Sequence, residues 1–232
     1  MNNKIIILSG DPNSINSEII FKSWKKLNIN QKNNIFLISN FELLKQQFAK
    51  LKYSVKLIKI KNINDKIITN GLKILDIPLD FDDPFKVSFN TSSIFIKKSL
   101  NLAHDLALTG DVKGIINCPI NKKLLKKKNY GITEYLAAKC KIKNSSEVML
   151  IKSKNFAVLP ITTHINLKDV ARKINLKKII KKILTFNNWF KLNYKKYPRI
   201  GVLGLNPHNA ELEKSSEESK IIVPSIKKLQ KR

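Results

Sequence analysis

Three histidines occur in 232 residues, and two of them stand at the ends of apolar, strand-like runs. Thr162-Thr163-His164 closes the run Phe156–Thr162, and Asn206-Pro207-His208 closes Arg199–Leu205. Neutral imidazole is the commonest side-chain ligand of transition metals, and two histidines from separate strand ends can converge on one ion. A catalytic zinc usually takes three protein ligands and a water, so this pair alone is not a full site. The same two residues also suit independent loop positions, each bonding nearby backbone groups. His104 sits inside a helical stretch, Asn101-Leu102-Ala103-His104-Asp105, and reads as structural.

Two further strand exits carry polar residues. Ser9-Gly10-Asp11-Pro12-Asn13-Ser14 resembles a phosphate-binding turn only loosely, because neither GxGxxG nor GxxxxGK is present. It equally fits an ordinary strand-to-helix turn with Ser14 or Asn16 as the cap. Asn117-Cys118-Pro119-Ile120-Asn121-Lys122 places a lysine at another exit, where it either holds an anion or is one more surface charge. Cys118 and Cys140 form no CxxC, which excludes a disulfide scaffold and a thiolate zinc knuckle.

The elements that must position these residues alternate. Ile5–Leu8, Ile35–Ser39, Val55–Ile60, Gly114–Cys118, Val148–Ile151, Phe156–Thr162 and Arg199–Leu205 are short, apolar and rich in β-branched residues. Such runs suit strands buried on both faces of a mostly parallel sheet. Helical patterns lie between them, at about 16–27, 41–51, 91–108, 133–141, 167–173, 176–195 and 217–230, with Gly110 as a helix-terminating residue. Strand–helix alternation predicts an α/β layered fold. The stretch Asn62–Asn90 breaks the rhythm with Gly71, Pro78, Pro84 and acidic residues, and reads as a connection between lobes or an excursion over a cleft.

Charge suggests a different function and then withdraws it. Lys+Arg 44 against Asp+Glu 17 gives +27, the balance of a nucleic-acid binder. Only Arg172, Arg199 and Arg232 are arginines, so 41 of the 44 are lysines, without the bidentate fork that base recognition favours. Specific nucleic-acid binding is therefore not expected, although a positive field steers phosphorylated or carboxylate substrates inward. No apolar run reaches the roughly 20 residues of a membrane span, and the first is too short for a signal peptide. A cytoplasmic protein is the expectation.

The motifs together carry a family resemblance. Thr162-Thr163-His164-Ile165-Asn166-Leu167 resembles the TTH-x-x-L segment of 4-hydroxythreonine-4-phosphate dehydrogenases of pyridoxal phosphate biosynthesis. Gly204-Leu205-Asn206-Pro207-His208 is similar to that family's GLNPH, with Pro198–Ile200 as its lead-in. Gly131-Ile132-Thr133-Glu134-Tyr135-Leu136 resembles its GHTE turn, Pro119–Lys122 its P-x-x-K exit, and Gly10-Asp11-Pro12 with Ile15 and Glu18 its opening motif. The resemblance implies an isocitrate/isopropylmalate-dehydrogenase-like fold with two lobes, and a homodimer with a shared active site. It implies NAD and a divalent metal (Zn, Mg or Co), used to oxidise the C3 hydroxyl of 4-(phosphooxy)-L-threonine. Loss of CO2 then gives 3-amino-2-oxopropyl phosphate. The metal histidines carry over to His164 and His208, and substrate-binding positions to Thr133 and Ile132.

The departures define the alternatives. Ile132 stands where the family has a substrate-contacting histidine. Asn209-Ala210-Glu211-Leu212 stands where glycines normally follow GLNPH. The family pattern continues for about a hundred residues with a third metal histidine, so residues 1–232 read as one incomplete two-lobe region, and the 232-residue chain is expected to fold without catalysing. The competing readings are a same-family dehydrogenase for another four-carbon phosphorylated hydroxy acid, and a non-catalytic homologue or basic binding domain.

Overall fold

The computed structural model describes residues 3–65, 69–125, 131–140, 147–163 and 165–231. Two compact units divide the chain, Met1–Ile132 and Thr133–Arg232.

The first unit is built on a five-stranded parallel sheet. Its strands are β1 (Ile5–Leu8), β2 (Ile35–Ser39), β3 (Leu57–Ile60), β4 (Leu72–Asp76) and β5 (Gly114–Asn117), in the order β3-β4-β2-β1-β5. Parallel neighbours need crossovers, which α1 (Asn16–Lys26), the short α2 (Ile29–Asn33), α3 (Phe41–Lys50) and α4 (Phe89–Leu108) supply. All five residues of β2 are buried, as a central strand covered on both faces requires. On one face Ile35 and Leu37 of β2 join Leu72 and Ile74 of β4 under Ile20 and Trp24 of α1 and Leu44 and Phe48 of α3. Against the other face α4 packs on β1, β2 and β5, with Phe95, Ile96, Leu100 and Ala103 almost fully buried. Asn28 and Asn40 cap α2 and α3, Ser88 caps α4, and Gly110 follows α4 at φ +79°.

β4 corrects the sequence reading. The stretch Asn62–Asn90 is no simple excursion, because its residues 72–76 insert between β2 and β3. Lys73 interrupts the apolar pattern, yet it is buried. Its ammonium donates to the Asn33 carbonyl at 2.5 Å and lies 4.1 Å from the Phe36 ring centre. Burial lowers its pKa.

The second unit holds α5 (Ile132–Lys139, which opens at the unit boundary), α6 (Val170–Lys173), α7 (Leu176–Tyr194) and α8 (Val223–Gln230), the last preceded by a π-helical turn Glu218–Ile222. Its core is small: Ile179 and Ile183 of α7 and Ile222, with Ile161, Val202 and Ile226 against them. The strands expected here are reduced to one antiparallel pair, β6 (Ile151–Lys152) with β7 (Ala157–Val158), both exposed. Arg199–Leu205 forms no strand, and Leu203 is 87% exposed. A strand is stabilised by its neighbours, and no described segment pairs with this one. Among the described residues no helix is long and apolar enough to cross a membrane.

Candidate functional site

Ligands of open parallel sheets bind beyond the carboxyl ends of the strands, where the strand order reverses. In the first unit that point lies between β1 and β5, and their exits meet there. Gly10, at φ +74°, turns the chain so closely that a β-carbon would lie 2.6 Å from the Pro119 carbonyl oxygen and 2.5 Å from the Asn16 side-chain nitrogen. Asn16 occupies the crevice itself. Its Nδ2 donates to the Pro119 carbonyl at 2.8 Å, tying the two exits together. Neither Ser14 nor Asn16 caps α1, because Ile15 occupies that position and Asn16 begins the helix. The turn is further braced by Asn13, which exchanges two 2.7 Å hydrogen bonds with the Val87 backbone, and by Gln47, which donates to the Pro12 and Pro84 carbonyls.

A cavity of about 10 Å³ remains, lined by Ser9, Asp11, Asn16, Ser39 and Gln47, with the buried Asn16 Oδ1 unpartnered among the described residues. That is the room of about one water, too little for a phosphate group. The hydrogen bonds of Asn13, Asn16 and Gln47 brace the opening turn. Lys122 lies exposed at the start of a 3-10 turn, Lys122–Leu125. Cys118 is buried among apolar side chains, which pushes its thiol up to about 11 and leaves it a protonated packing residue. His104 is buried in α4, with Nδ1 3.0 Å from Asp105 Oδ1.

The residues with the strongest chemical signature lie at the boundary and in the second unit. Ile132 and Thr133 are the first two residues of α5, Ile132 half-buried and Thr133 exposed. Thr162 and Thr163 are half-buried, and His164 lies outside the described residues. His208 is exposed, and its ring makes no hydrogen bond among the described residues. No hydrogen bond links it to Thr133 among these residues either.

The backbone around His208 is unusual. His208, Asn209, Ala210, Glu211 and Leu212 have φ of 50°, 54°, 47°, 48° and 57°, a left-handed turn made entirely of residues with a β-carbon. Left-handed helical backbone costs roughly 1–2 kcal/mol per such residue, so the turn needs external support. Several bonds supply it. Asn209 N–H donates to the Asn206 carbonyl at 3.1 Å and Glu213 N–H to the Ala210 carbonyl at 2.9 Å. Ser219 Oγ donates to the Leu212 carbonyl at 2.9 Å. At the entrance, Glu218 is 2% exposed and accepts from the Leu205 and Asn206 amides, both at 2.8 Å, and from Asn206 Nδ2 at 3.0 Å. These hydrogen bonds, above all those from Asn206, hold its carboxyl down to about 2. Gly204 lies so near Asn209 Oδ1 that a side chain there would displace it.

Sequence reasoning missed Glu218, which sits in the run Ser215-Ser216-Glu217-Glu218-Ser219-Lys220 and has the look of a solvated helix start. The left-handed turn was equally unmarked, since the glycines that signal such backbone are absent.

As for a cation, imidazole is a suitable donor and His208 is exposed without a ring hydrogen bond among the described residues, so it fits as one ligand. No cluster of three His, Cys, Asp or Glu residues that could hold an ion occurs among the described residues.

The parallel sheet flanked by helices is an α/β fold, and the solved structures it superimposes on place it in the isocitrate-dehydrogenase-like class. A family model described as pyridoxal phosphate biosynthetic protein PdxA matches residues 31–232, and the chain belongs to that family. It is 33% identical over 236 residues to a 4-hydroxythreonine-4-phosphate dehydrogenase of Sulfurihydrogenibium sp. (strain YO3AOP1), covering 97% of this chain and 70% of that protein. A protein of the same name from Aquifex aeolicus is 31% identical over 240 residues, covering 100% of this chain and 72% of the relative. The crystal structure of a 4-hydroxythreonine-4-phosphate dehydrogenase from Burkholderia phymatum superimposes with a TM-score of 0.81 at 27% identity, covering 100% of this chain and 72% of that one.

Proposed function

We propose that the protein takes part in pyridoxal phosphate biosynthesis as a dehydrogenase acting on 4-(phosphooxy)-L-threonine, oxidising its C3 hydroxyl with NAD and releasing CO2 to give 3-amino-2-oxopropyl phosphate. The observation that carries this reading is the family match over residues 31–232, which includes the Gly204–His208 motif. The bound groups would supply hydride acceptance by the nicotinamide and Lewis-acid stabilisation of charge on the substrate oxygen by a divalent cation. His208, with His164, is the proposed cation-holding pair. Thr133, exposed in the first turn of α5, would donate its hydroxyl toward the substrate phosphate, and the excess of lysine draws that anion in. A cytoplasmic homodimer with a shared active site, as the family membership suggests, completes the reading.

The test compares the 232-residue chain with a chimera continued by the remainder of the Sulfurihydrogenibium relative. With His164 and His208 as a pair where a catalytic zinc usually takes three protein ligands, the 232-residue chain is expected to form no NADH. The chimera is expected to form NADH from 4-(phosphooxy)-L-threonine in a cation- and His208-dependent manner. A chimera that folds but forms none, or forms it equally with His208→Ala, would falsify the reading.

A further inference from the structure

We propose that Glu218 is a positioning residue, whose carboxylate clamps the Leu205 and Asn206 amides and so holds the turn that presents His208. The argument begins with what a buried carboxylate needs. An ionised side chain that is 2% exposed must be compensated by hydrogen bonds, and Glu218 takes three from one dipeptide, at 2.8, 2.8 and 3.0 Å. Those donors immediately precede Pro207 and His208, and the left-handed turn starts at His208 itself. The exit of the turn is held by the next residue of the same helix, since Ser219 Oγ donates to the Leu212 carbonyl at 2.9 Å. One helical start, Glu218-Ser219, therefore grips both ends of a five-residue turn that no glycine relieves. Glu217 makes a lesser contribution, with a single 3.1 Å bond from Asn206 Nδ2.

The role of His208 as a cation ligand rests on the proposed function, whereas the clamp on its turn does not. The experiment therefore has two arms on the full 232-residue chain. In the metal-free protein, NMR follows amide exchange at Leu205 and Asn206 and the ring resonances of His208. In the second arm Co2+ alone is titrated. Glu218→Gln is expected to speed exchange at both amides, shift the His208 ring and weaken Co2+ binding roughly 10- to 100-fold, the usual effect of losing a partner outside the ligand shell. Glu217→Gln is expected to change each by a lesser factor. If His208→Ala leaves Co2+ affinity intact, the cation reading fails and the NMR arm still decides the clamp. Unchanged His208 resonances and amide exchange in Glu218→Gln would overturn the proposal. Should that variant unfold by circular dichroism, Glu218→Asp, which keeps the charge but draws the carboxylate back from the two amides, carries the same test with the same two outcomes.

Discussion

The two units divide the work unequally. The first has five hydrogen-bonded strands, helices on both faces and a core in which Leu37, Ile38, Ile74 and Leu100 have no exposure at all. The second has two exposed two-residue strands and a small core around Ile179, Ile183 and Ile222. Yet the second unit carries His208 and Thr133, while the crevice beside the β1 exit of the first is largely occupied by Asn16 and Gln47. The larger core and the proposed site residues thus fall in different units of the chain. The lesson is that a well-formed sheet exit is no evidence of a site until its crevice has room for a ligand.

The comparison is broken most forcefully in the cores. Phe95→Ala in the first unit is expected to cost about 3–5 kcal/mol in denaturant unfolding, from lost transfer energy and the cavity left behind. Leu203→Ala in the second removes a side chain that is 87% exposed and should stay within about 0.5 kcal/mol. Equal costs would mean that Leu203 is buried in solution.

Next in size is Ile132→His. A hydrogen bond to a charged group contributes about 1.5–3 kcal/mol, so restoring an imidazole should raise turnover or affinity of the chimera roughly 10- to 100-fold if its substrate is hydroxythreonine phosphate. Kinetics left flat would point to a different pocket around α5.

How much of this was legible in the sequence follows the same division. β1, β2 and β5 were readable because Ile5–Leu8, Ile35–Ser39 and Gly114–Asn117 are short isoleucine-rich runs, although β5 lies at the sheet edge with Ile116 exposed. β4 was not, because Lys73 breaks its pattern and its burial depends on Asn33 and Phe36, far away in sequence. In the second unit the composition of Arg199–Leu205 is that of a strand, but strands are made by partners, and none pairs with it among the described residues. His208 was singled out by its motif, and the structure places it exposed at the start of the left-handed turn. Glu218 was not, since its meaning lies in the two amides that it accepts from and not in its neighbours in sequence.

Acid should distinguish the units more gently. The Glu218 carboxyl is held at about 2 against an ordinary 4.5, so the folded state favours its ionised form. Its stabilising contribution is fully present above about pH 4.5 and is lost as pH falls toward 2. Unfolding of the second unit followed against pH should therefore weaken through that window in the native protein, and less steeply in Glu218→Gln. The smallest effect is a difference in labelling. Cys118 is buried in the first unit with its thiol raised to about 11, whereas Cys140 is exposed in the second. Iodoacetamide at neutral pH should modify Cys140 well before Cys118, and equal rates would show that the first unit opens as readily as the second.

The central claim, that the chemistry of this chain resides at His208, is tested most directly by Co2+ titration of the purified protein and its His208→Ala variant, followed by the visible absorption of the bound ion. The account predicts binding by the native chain that is weakened at least about tenfold in His208→Ala, as loss of a direct ligand should exceed loss of a supporting partner. Identical titration curves for the two proteins would contradict it.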